Sequence, residues 1–211
     1  MQKAKLHGYW RSSASWRVRI ALNVKGIEYE YIPVNLLKGE QKSEEHLKLN
    51  PSGFVPALEI DGHILTESLP IIEYLDEAYP DKAKMLPEDK LQRFQARRLA
   101  EVVNSGIQPI QNLSVLNRIA DIGGDKTEWA KVTITNGLKV LETLVSQSKG
   151  KFCVGDEITI ADCCLVPQLY SADRFGVDMT QFPLLCEIRE NLNNVPEVAA
   201  AHANVQVDAV L

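Results

Sequence analysis

Long hydrophobic runs are missing from this sequence. No stretch approaches the roughly 18 uninterrupted apolar residues that a membrane-spanning helix needs, and no apolar signal core follows the first lysines, Lys3 and Lys5. An excess of positive charge is missing as well, because 23 Lys and Arg residues stand against 28 Asp and Glu residues, for a formal net charge of −5. We therefore expect a protein that is not secreted, does not span a membrane and does not bind nucleic acid.

Cysteine is scarce, and its spacing does not suit a metal site. The four cysteines are Cys153, Cys163, Cys164 and Cys186, and no two of them show C-x-x-C spacing. Four cysteines in 211 residues do not make a disulfide framework, and no histidine lies near them at ligand spacing. We expect buried, reduced thiols in a cytoplasmic protein, and no metal site.

Two halves with different patterns make up the chain. A length of 211 residues with 45% hydrophobic residues is typical of two compact domains. In residues 1–80 the strand and helix signals follow the order β-α-β, α, β-β-α, with Asp61-Gly62 as a hairpin turn and Ser68 as the cap of the last helix. Residues 81–89 are a predicted linker. Beyond it the apolar spacing is helical, so the sequence predicts an α/β domain over residues 1–80 and an all-helical domain over residues 90–211.

The turn after the first predicted strand is rich in small hydroxyl residues. Ser12, Ser13 and Ser15 lie where the following helix begins, and there unpaired backbone N–H groups and the helix dipole favour an anion. A phosphate loop is excluded because neither nucleotide-binding glycine pattern is present. A serine nucleophile is disfavoured because no G-x-S-x-G surrounds these residues. From the residues alone, a serine that only caps the helix is the preferred interpretation.

Motifs along nearly the whole chain change that interpretation. They are Ser12–Leu22, Asn50-Pro51 followed by Val55-Pro56, Glu67-Ser68 with Ile71–Leu75, Gly106–Ser114, Val154–Asp156, Ala161-Asp162 and Leu165–Gln168. Together and in this order they resemble the motifs of the zeta class of glutathione transferases. One motif alone would be a weak signal, whereas the ordered set is specific.

The resemblance implies a thioredoxin-like N-terminal domain, an all-helical C-terminal domain (the glutathione transferase fold) and glutathione as the cofactor. It implies that Ser12 and Ser13 are catalytic, with Ser12 activating the thiol. Val55-Pro56 is then expected to be a cis peptide. The glutathione-binding residues implied are Ser12, Ser13, Ala14, Ser15, Gln41 (glycyl end), Val55, Pro56, Glu67 (ammonium group), Ser68 (γ-glutamyl carboxylate), Gln108, Asn112 and Ser114.

Two arginines are the implied substrate-binding residues. The resemblance maps one onto Arg174, and Arg11 is a candidate for the mouth of the site. Arg174 has an alternative role, since a cation at a helix end is favourable in itself. Gln108, Asn112 and Ser114 also have an alternative role, as polar residues that fill a kink where a proline breaks the helix.

Other residues of the motifs have purely local interpretations. Thr159 and Asp162 form a predicted capping box, which accounts for both residues. Arg17 and Arg19 cannot share a helix face, so one of them is expected to be an ordinary solvated or ion-paired residue. Ala14 stands where the zeta pattern usually has cysteine, so we expect no protein thiol to take part in the reaction.

The activity implied is glutathione-dependent cis–trans isomerisation of maleylacetoacetate in tyrosine and phenylalanine breakdown, with glutathione transferase activity. The partners implied are glutathione, a small dicarboxylic keto-acid and a second copy of the chain in a homodimer. Maleylpyruvate isomerisation and transfer to small α-halo acids are the alternatives within the family. A non-catalytic binding protein of the same fold is the alternative from another class, although it would commonly have lost the hydroxyl that Ser12 and Ser13 retain.

Overall fold

A computed structural model describes residues 3–210 and divides the chain into two compact units. The first unit joins the residues up to Met85 with those from Val195 onward, and the second spans Leu86–Asn194. The sequence placed everything after residue 90 in the helical domain. In the structure the last residues instead pack with the first unit.

A four-stranded mixed sheet forms the centre of the first unit. Its order is β2-β1-β3-β4, with β1 parallel to β2 and antiparallel to β3, which is antiparallel to β4. The hairpin between β3 and β4 turns at Asp61 and Gly62, which have φ angles of 53° and 79°, as a two-residue turn requires. The strands are β1 (Ala4–Gly8), β2 (Tyr29–Pro33), β3 (Ala57–Ile60) and β4 (His63–Thr66).

Three helices pack around this sheet. They are α1 (Ser13–Val24), α2 (Glu44–Leu49) and α3 (Ser68–Ala78). Leu6 of β1, Ile20 of α1 and Ile71 of α3 are completely buried, so the apolar positions read from the sequence form the core. One cap was predicted wrongly: α3 begins at Ser68 itself, and Glu67 occupies the N-cap position.

The second unit is entirely helical apart from short 3₁₀ turns and loops. Its helices are α4 (Lys90–Gly106), α5 (Leu113–Asp121), α6 (Lys126–Val145), α7 (Ile160–Arg174) and α8 (Pro183–Asn193). Ile107 follows α4 and is completely buried. It packs where Gly137 of α6 leaves space, because a Cβ at Gly137 would collide with the Ile107 side chain.

A short helix, α9 (Pro196–Ala200), returns the chain to the first unit. It packs against α1, and the Asn23 side chain donates to the Glu197 carbonyl oxygen over 3.0 Å. The sequence showed only a short alanine-rich tail here. Val198 of α9 is 2% exposed, so apolar burial holds this helix together with the polar contact to α1.

Two negative findings apply to residues 3–210. No helix there combines the length and the apolar character that crossing a membrane requires. No three His, Cys, Asp or Glu side chains in that range are grouped so that they could hold a metal ion.

Candidate functional site

Three of the segments singled out in the sequence adjoin the strands β1, β3 and β4 at the same edge of the sheet, the edge where β1 and β4 end and β3 begins. The strand register places His7 of β1 opposite Ala57 of β3, and Ala57 opposite Thr66 of β4. At this row β1 is about to end, β3 begins and β4 ends. The serine turn, the Val55-Pro56 peptide and Glu67-Ser68 therefore begin side by side, although they are far apart in the sequence.

Ser12 is the N-cap of α1. Its Oγ accepts a hydrogen bond from the Ser15 backbone N–H over 3.2 Å, and its carbonyl oxygen accepts the first helical bond, from Trp16 N. Capping uses a lone pair of the hydroxyl oxygen, so the O–H can still donate to another acceptor. Ser12 is half-buried and can therefore both cap the helix and donate to a ligand.

The neighbours of Ser12 differ in exposure. Ser13 and Ala14 in the first turn of α1 are half-buried, like Ser12, whereas Ser15 is completely buried. The Ser15 hydroxyl lies above Gly8, where a Cβ would come within 3.2 Å of Ser15 Oγ. Of the predicted serines, Ser12 and Ser13 are thus the two with exposed surface at the helix N-terminus.

A buried arginine contacts the second helix N-terminus of the site. Arg17 Nη1 donates to Ser68 Oγ over 3.1 Å, and both residues are buried. This places a guanidinium group at the positive end of α3, and an anion such as a carboxylate is favoured there. Arg17 and Arg19 are 1% and 0% exposed, so of the two roles expected for one of them, solvated or ion-paired, the solvated one is wrong.

Glu67 adopts a backbone conformation that is rare for a residue with a side chain. Its φ is 67° and its ψ is 119°, and its side chain makes no capping hydrogen bond within the described residues. Such conformations cost about 1–3 kcal/mol and cluster at ligand-binding sites. The exposed Glu67 side chain stands directly before Ser68, which is a suitable position for a group that meets an ammonium ion.

The Val55-Pro56 peptide is cis, as predicted. The loop before it is held by two side chains, since His46 Nε2 and Asn50 Nδ2 donate to the Phe54 carbonyl oxygen over 2.8 and 3.0 Å. Gln41 lies beside this loop, because a Cβ at Gly53 would lie 3.1 Å from the Gln41 carbonyl oxygen.

The predicted residues of the second unit cluster at the start of α5. Asn112 caps this helix, and its Oδ1 accepts from the Ser114 backbone N–H and hydroxyl over 3.1 and 3.2 Å. Gln108 is half-buried in the preceding turn. The turn is anchored by Gln111, whose side-chain amide donates to Gln168 Oε1 of α7 over 3.0 Å. Asn112 and Ser114 thus have a capping role, whatever else they contact.

The two candidate substrate arginines carry accessible charges in different units. Arg11 is half-buried, with its guanidinium carbon 5.2 Å from the centre of a Trp10 ring. Arg174 is exposed in the last turn of α7, 5.1 Å from the Phe175 ring centre. In each case the guanidinium group lies within the range of a cation–π contact with the neighbouring ring.

The cysteines have the character expected of inert thiols. Cys153, Cys163 and Cys164 are buried and Cys186 is half-buried, and none of the four forms a disulfide. Burial raises the pKa of Cys153 well above its ordinary value, and the nearby Asp162 carboxylate raises it further. A raised pKa keeps the thiol protonated and unreactive.

Sequence reasoning missed Arg17 as a site residue. The available signal was its place in α1 between Trp16 and Val18, which are both buried. An arginine among apolar helix positions is rarely buried without a specific partner.

Comparison with known proteins gives matches over both units. Residues 6–83 match the glutathione S-transferase N-terminal domain, and residues 121–204 match the C-terminal domain. The chain is 49% identical to the maleylacetoacetate isomerase of Dictyostelium discoideum over 212 positions, which cover 98% of this chain and 96% of that protein.

Solved structures with the same fold are similar over almost the whole chain. A maleylacetoacetate isomerase from Anaeromyxobacter dehalogenans 2CP-1 with GSH bound in its active site has a TM-score of 0.90 and 45% identity, covering 99% of this chain and 98% of that one. A second structure of that enzyme holds dicarboxyethyl glutathione and citrate in the active site, with a TM-score of 0.88, 43% identity and coverage of 99% and 94%.

A third structure is the holo form of a maleylpyruvate isomerase, a bacterial zeta-class glutathione transferase. It has a TM-score of 0.94 and 38% identity, and covers 98% of this chain and 100% of that one. The predicted fold class is therefore confirmed. Since the domain matches and the relatives agree along the chain, this protein belongs to the glutathione transferase family and to its zeta class.

Proposed function

We propose that this transferase isomerises maleylacetoacetate to fumarylacetoacetate with glutathione as the catalyst, and that it also has glutathione transferase activity. The observation that carries the proposal is the half-buried Ser12 hydroxyl at the N-terminus of α1, beside the N-terminus of α3 on the same sheet edge. A thiolate and a carboxylate are the two anions that glutathione would bring to such helix ends.

The Ser12 end of α1 is sufficient to activate the thiol. A free thiol of this kind has a pKa near about 8.5, and lowering it by two units takes roughly 2.7 kcal/mol of preferential thiolate stabilisation. One hydroxyl that donates to a charged acceptor contributes about 1.5–3 kcal/mol, and a helix N-terminus adds roughly 0.3–1 kcal/mol. No metal ion or protein thiol is required for this step.

The other half of glutathione would bind along the same sheet edge. Ser68 and the Arg17 guanidinium behind it suit the γ-glutamyl carboxylate, and Glu67 suits the ammonium group. Val55 and Pro56 would contact the cysteinyl part, with Ser13 and Ala14 of the first turn of α1, whereas Ser15, predicted as a contact, is completely buried and is not available to the ligand. Gln41 is proposed for the glycyl end, and the cluster of Gln108, Asn112 and Ser114 for further contacts to glutathione.

The reaction follows from the nucleophile. The thiolate adds to one carbon of the cis double bond, a carbon–sulfur bond forms, and the displaced electron pair moves onto the conjugated carbonyl oxygen as an enolate. Rotation about the resulting single bond follows. Collapse of the enolate then re-forms the double bond in the trans geometry and expels the thiolate unchanged. Arg11 and Arg174 are proposed to bind the substrate carboxylates and to stabilise the enolate.

Maleylpyruvate is the second candidate substrate, because one relative with the same fold is a maleylpyruvate isomerase. The test is turnover of maleylacetoacetate and maleylpyruvate by the purified protein, each with and without glutathione. We expect faster turnover of maleylacetoacetate, and none without glutathione. A higher kcat/KM for maleylpyruvate would overturn the substrate assignment, and equal rates without glutathione would overturn the mechanism.

The protein's own thiols are proposed to be dispensable. Alkylation of the wild-type protein before assay is expected to leave the activity nearly intact, since three of its cysteines are buried. An Ala14→Cys variant should acquire an alkylation-sensitive site that glutathione protects. Rapid inactivation of the wild type by an alkylating agent would contradict this.

A cytoplasmic homodimer completes the proposal. Four cysteines without a disulfide are usual in a reducing compartment. Large apolar side chains are exposed on each unit, with Phe54 at 52%, Leu91 at 64% and Phe94 at 56%, and these are the side chains that we propose a second chain covers. Sedimentation of the wild type and of Phe54→Asp tests the assembly, and a monomeric wild type would contradict it.

A further inference from the structure

The C-terminal segment, residues 195–210, contacts the backbone just before the turn at Ser12, where Tyr9 and Trp10 lie. Asp208 Oδ2 accepts a hydrogen bond from the Trp10 backbone N–H over 2.9 Å, and it lies 3.4 Å from the Tyr31 hydroxyl, which donates to it. Trp10 is joined to Ser12 by Arg11 alone, and Ser12 N donates to the Tyr9 carbonyl oxygen over 2.9 Å. The segment thus reaches the base of the turn.

A second side chain holds the same two residues from the other side. Arg19 of α1 is completely buried, and its guanidinium group donates to the carbonyl oxygens of Trp10 over 2.8 Å and Tyr9 over 3.5 Å. Its Nε donates to the Ala201 carbonyl oxygen over 3.1 Å. One guanidinium group therefore joins the turn to the start of the C-terminal segment.

Aromatic packing adds to these polar contacts. The ring of His202 meets that of Trp16 edge-on at a centroid distance of 4.8 Å, and Trp16 is 1% exposed. Trp16 is also the residue whose backbone N–H closes the first turn of α1 on Ser12. The C-terminal segment therefore contacts both Trp10, which precedes α1, and Trp16, in the first turns of α1.

The two charges that hold the turn are coupled to each other. Burial lowers the pKa of Arg19, and interactions with Tyr31, Tyr29 and Asp208 oppose that shift; Asp208 is the acidic side chain among the three. A buried guanidinium group is costly unless its hydrogen bonds and a nearby negative charge compensate for it. Asp208 contributes that charge while it accepts the Trp10 N–H, so removing it weakens both contacts at once.

We propose that Asp208 is a positioning residue for thiol activation: with Arg19 it fixes the Tyr9-Trp10 backbone, and so the direction in which the Ser12 hydroxyl donates. The inference rests on the proposed role of Ser12. A hydrogen bond to a thiolate depends steeply on its angle, so a turn that is free to shift still binds glutathione through its other contacts but stabilises the thiolate less.

The test is an ultraviolet titration of the thiol of bound glutathione in the full-length protein, together with the affinity for S-methylglutathione, which has no thiol. Asp208→Ala is expected to raise the thiol pKa by about one unit, an approximately tenfold fall in the ionisation constant of the thiol, while S-methylglutathione binds as tightly as to the wild type. Asp208→Asn keeps an uncharged acceptor, and the ionisation constant should fall about threefold. If Asp208→Ala does not fold, the result with Asp208→Asn decides.

Gln206→Ala is the matched control. The Gln206 amide donates only to Ala200 and His202 carbonyl oxygens of the same segment within the described structure, so its loss should leave the thiol pKa unchanged. An unchanged thiol pKa in the Asp208 variants, or an equal shift in Gln206→Ala, overturns the proposal. Ser12→Ala separates the two hypotheses. If it leaves the thiol pKa unchanged, the role of Ser12 itself is wrong, whereas a shift in Ser12→Ala alone rejects only the role of Asp208.

Discussion

The N-termini of α7 and α1 are both capped by a side-chain oxygen that accepts backbone N–H groups, but the two caps differ in burial and in the number of hydrogen bonds. At α7 the Asp162 carboxylate accepts from the Cys153 and Thr159 backbone N–H groups over 2.9 and 2.8 Å and from the Thr159 hydroxyl over 3.0 Å. Thr159 and Asp162 are 1% and 0% exposed. At α1 the Ser12 hydroxyl accepts a single bond and remains half-buried.

The N-terminus of α7 is closed by its own acidic side chain, whereas the N-terminus of α1 is open, and we propose that it binds a ligand. At α7 a side chain of the protein itself is the anion that the helix end favours, so no room remains for a ligand. Burial raises the pKa of Asp162, and the hydrogen bonds from Cys153 and Thr159 lower it again. At α1 no acidic residue lies in the first turn, so no side chain of that turn supplies the anion that a helix N-terminus favours.

The largest expected effect is a loss of stability at the closed N-terminus of α7. Asp162→Ala leaves three buried donors without their acceptor, and each unsatisfied donor costs about 1–3 kcal/mol, so we expect a loss of at least about 3 kcal/mol in the free energy of unfolding. Urea denaturation measures it. Glutathione affinity per folded molecule should not change.

Asp178→Ala is the matched control for this substitution. Asp178 caps a short 3₁₀ helix by the same kind of bond, accepting from the Thr180 backbone N–H and hydroxyl over 3.1 and 2.6 Å, but it lies at the surface. Asp178→Ala should therefore lower the free energy of unfolding much less than Asp162→Ala does. Equal destabilisation by the two variants would show that burial does not distinguish the caps.

The second effect concerns the open N-terminus of α1, at Ser12. Ser12→Ala should reduce kcat/KM for the isomerisation by roughly ten- to a hundredfold, the loss of one hydrogen bond to a charged acceptor, and should cost about 1 kcal/mol of stability as a lost cap. Ser13→Ala should reduce the activity less. Ser12→Asp restores the cap without a hydroxyl donor, so it should recover stability and not activity. A more damaging Ser13→Ala would reverse the assignment.

The third effect lies at the other end of α7, where Arg174 is exposed. If Arg174 binds a substrate carboxylate, Arg174→Ala should raise the KM for the keto-acid about tenfold, as the loss of about 1.4 kcal/mol of charged hydrogen bonding predicts. Glutathione affinity should stay constant. Steady-state kinetics with each substrate varied in turn measures both.

Arg189→Ala is the control for the helix end itself. Arg189 donates to both carboxylate oxygens of Asp173, over 3.1 and 3.0 Å, so its removal disturbs the same end of α7 without touching Arg174. We expect an unchanged KM. If Arg174→Ala lowers the affinity for glutathione and for the keto-acid equally, its role is structural.

The sequence predicted most of the fold because local signals dominate it. The hairpin at Asp61-Gly62, the cap at Thr159 and the parallel pairing of the first two strands follow from short motifs and spacing. The cap of α3 could not be predicted, because the unusual φ of Glu67 is imposed by surrounding structure that no local propensity reveals.

The site could be predicted from the sequence only as far as its motifs extend. Ser12, Ser68 and the cis peptide at Val55 lie in recognisable segments, and the strand register then brings these segments to one sheet edge. The buried contacts of Arg17 and Arg19 could not be predicted, because Arg17 donates to Ser68 and Arg19 donates to Ala201, which both lie far along the chain. Pairings over such distances have no signature in a single sequence.

The smallest expected effect is a pH dependence of stability that arises at His202, in the C-terminal segment that contacts α1. Burial lowers the pKa of His202, and the charge of Arg19 lowers it further. The neutral ring accepts the Asn204 backbone N–H at Nδ1 over 3.1 Å and packs on Trp16. Since the unfolded chain binds the proton more readily than the folded one, the contribution of His202 to stability is complete above its unfolded pKa of about 6.5 and is lost as the pH falls below it.

Urea midpoints of the wild type and His202→Gln between about pH 7.5 and pH 5.5 isolate this contribution. Other titrating groups are common to both proteins and cancel in the difference, so the wild type should lose slightly more stability on acidification than His202→Gln. His63→Gln, which alters an exposed histidine of β4, should retain the wild-type profile. Parallel profiles for all three proteins would mean that protonation of His202 does not loosen the segment, and that the open end of α1 depends on Asp208 and Arg19 alone.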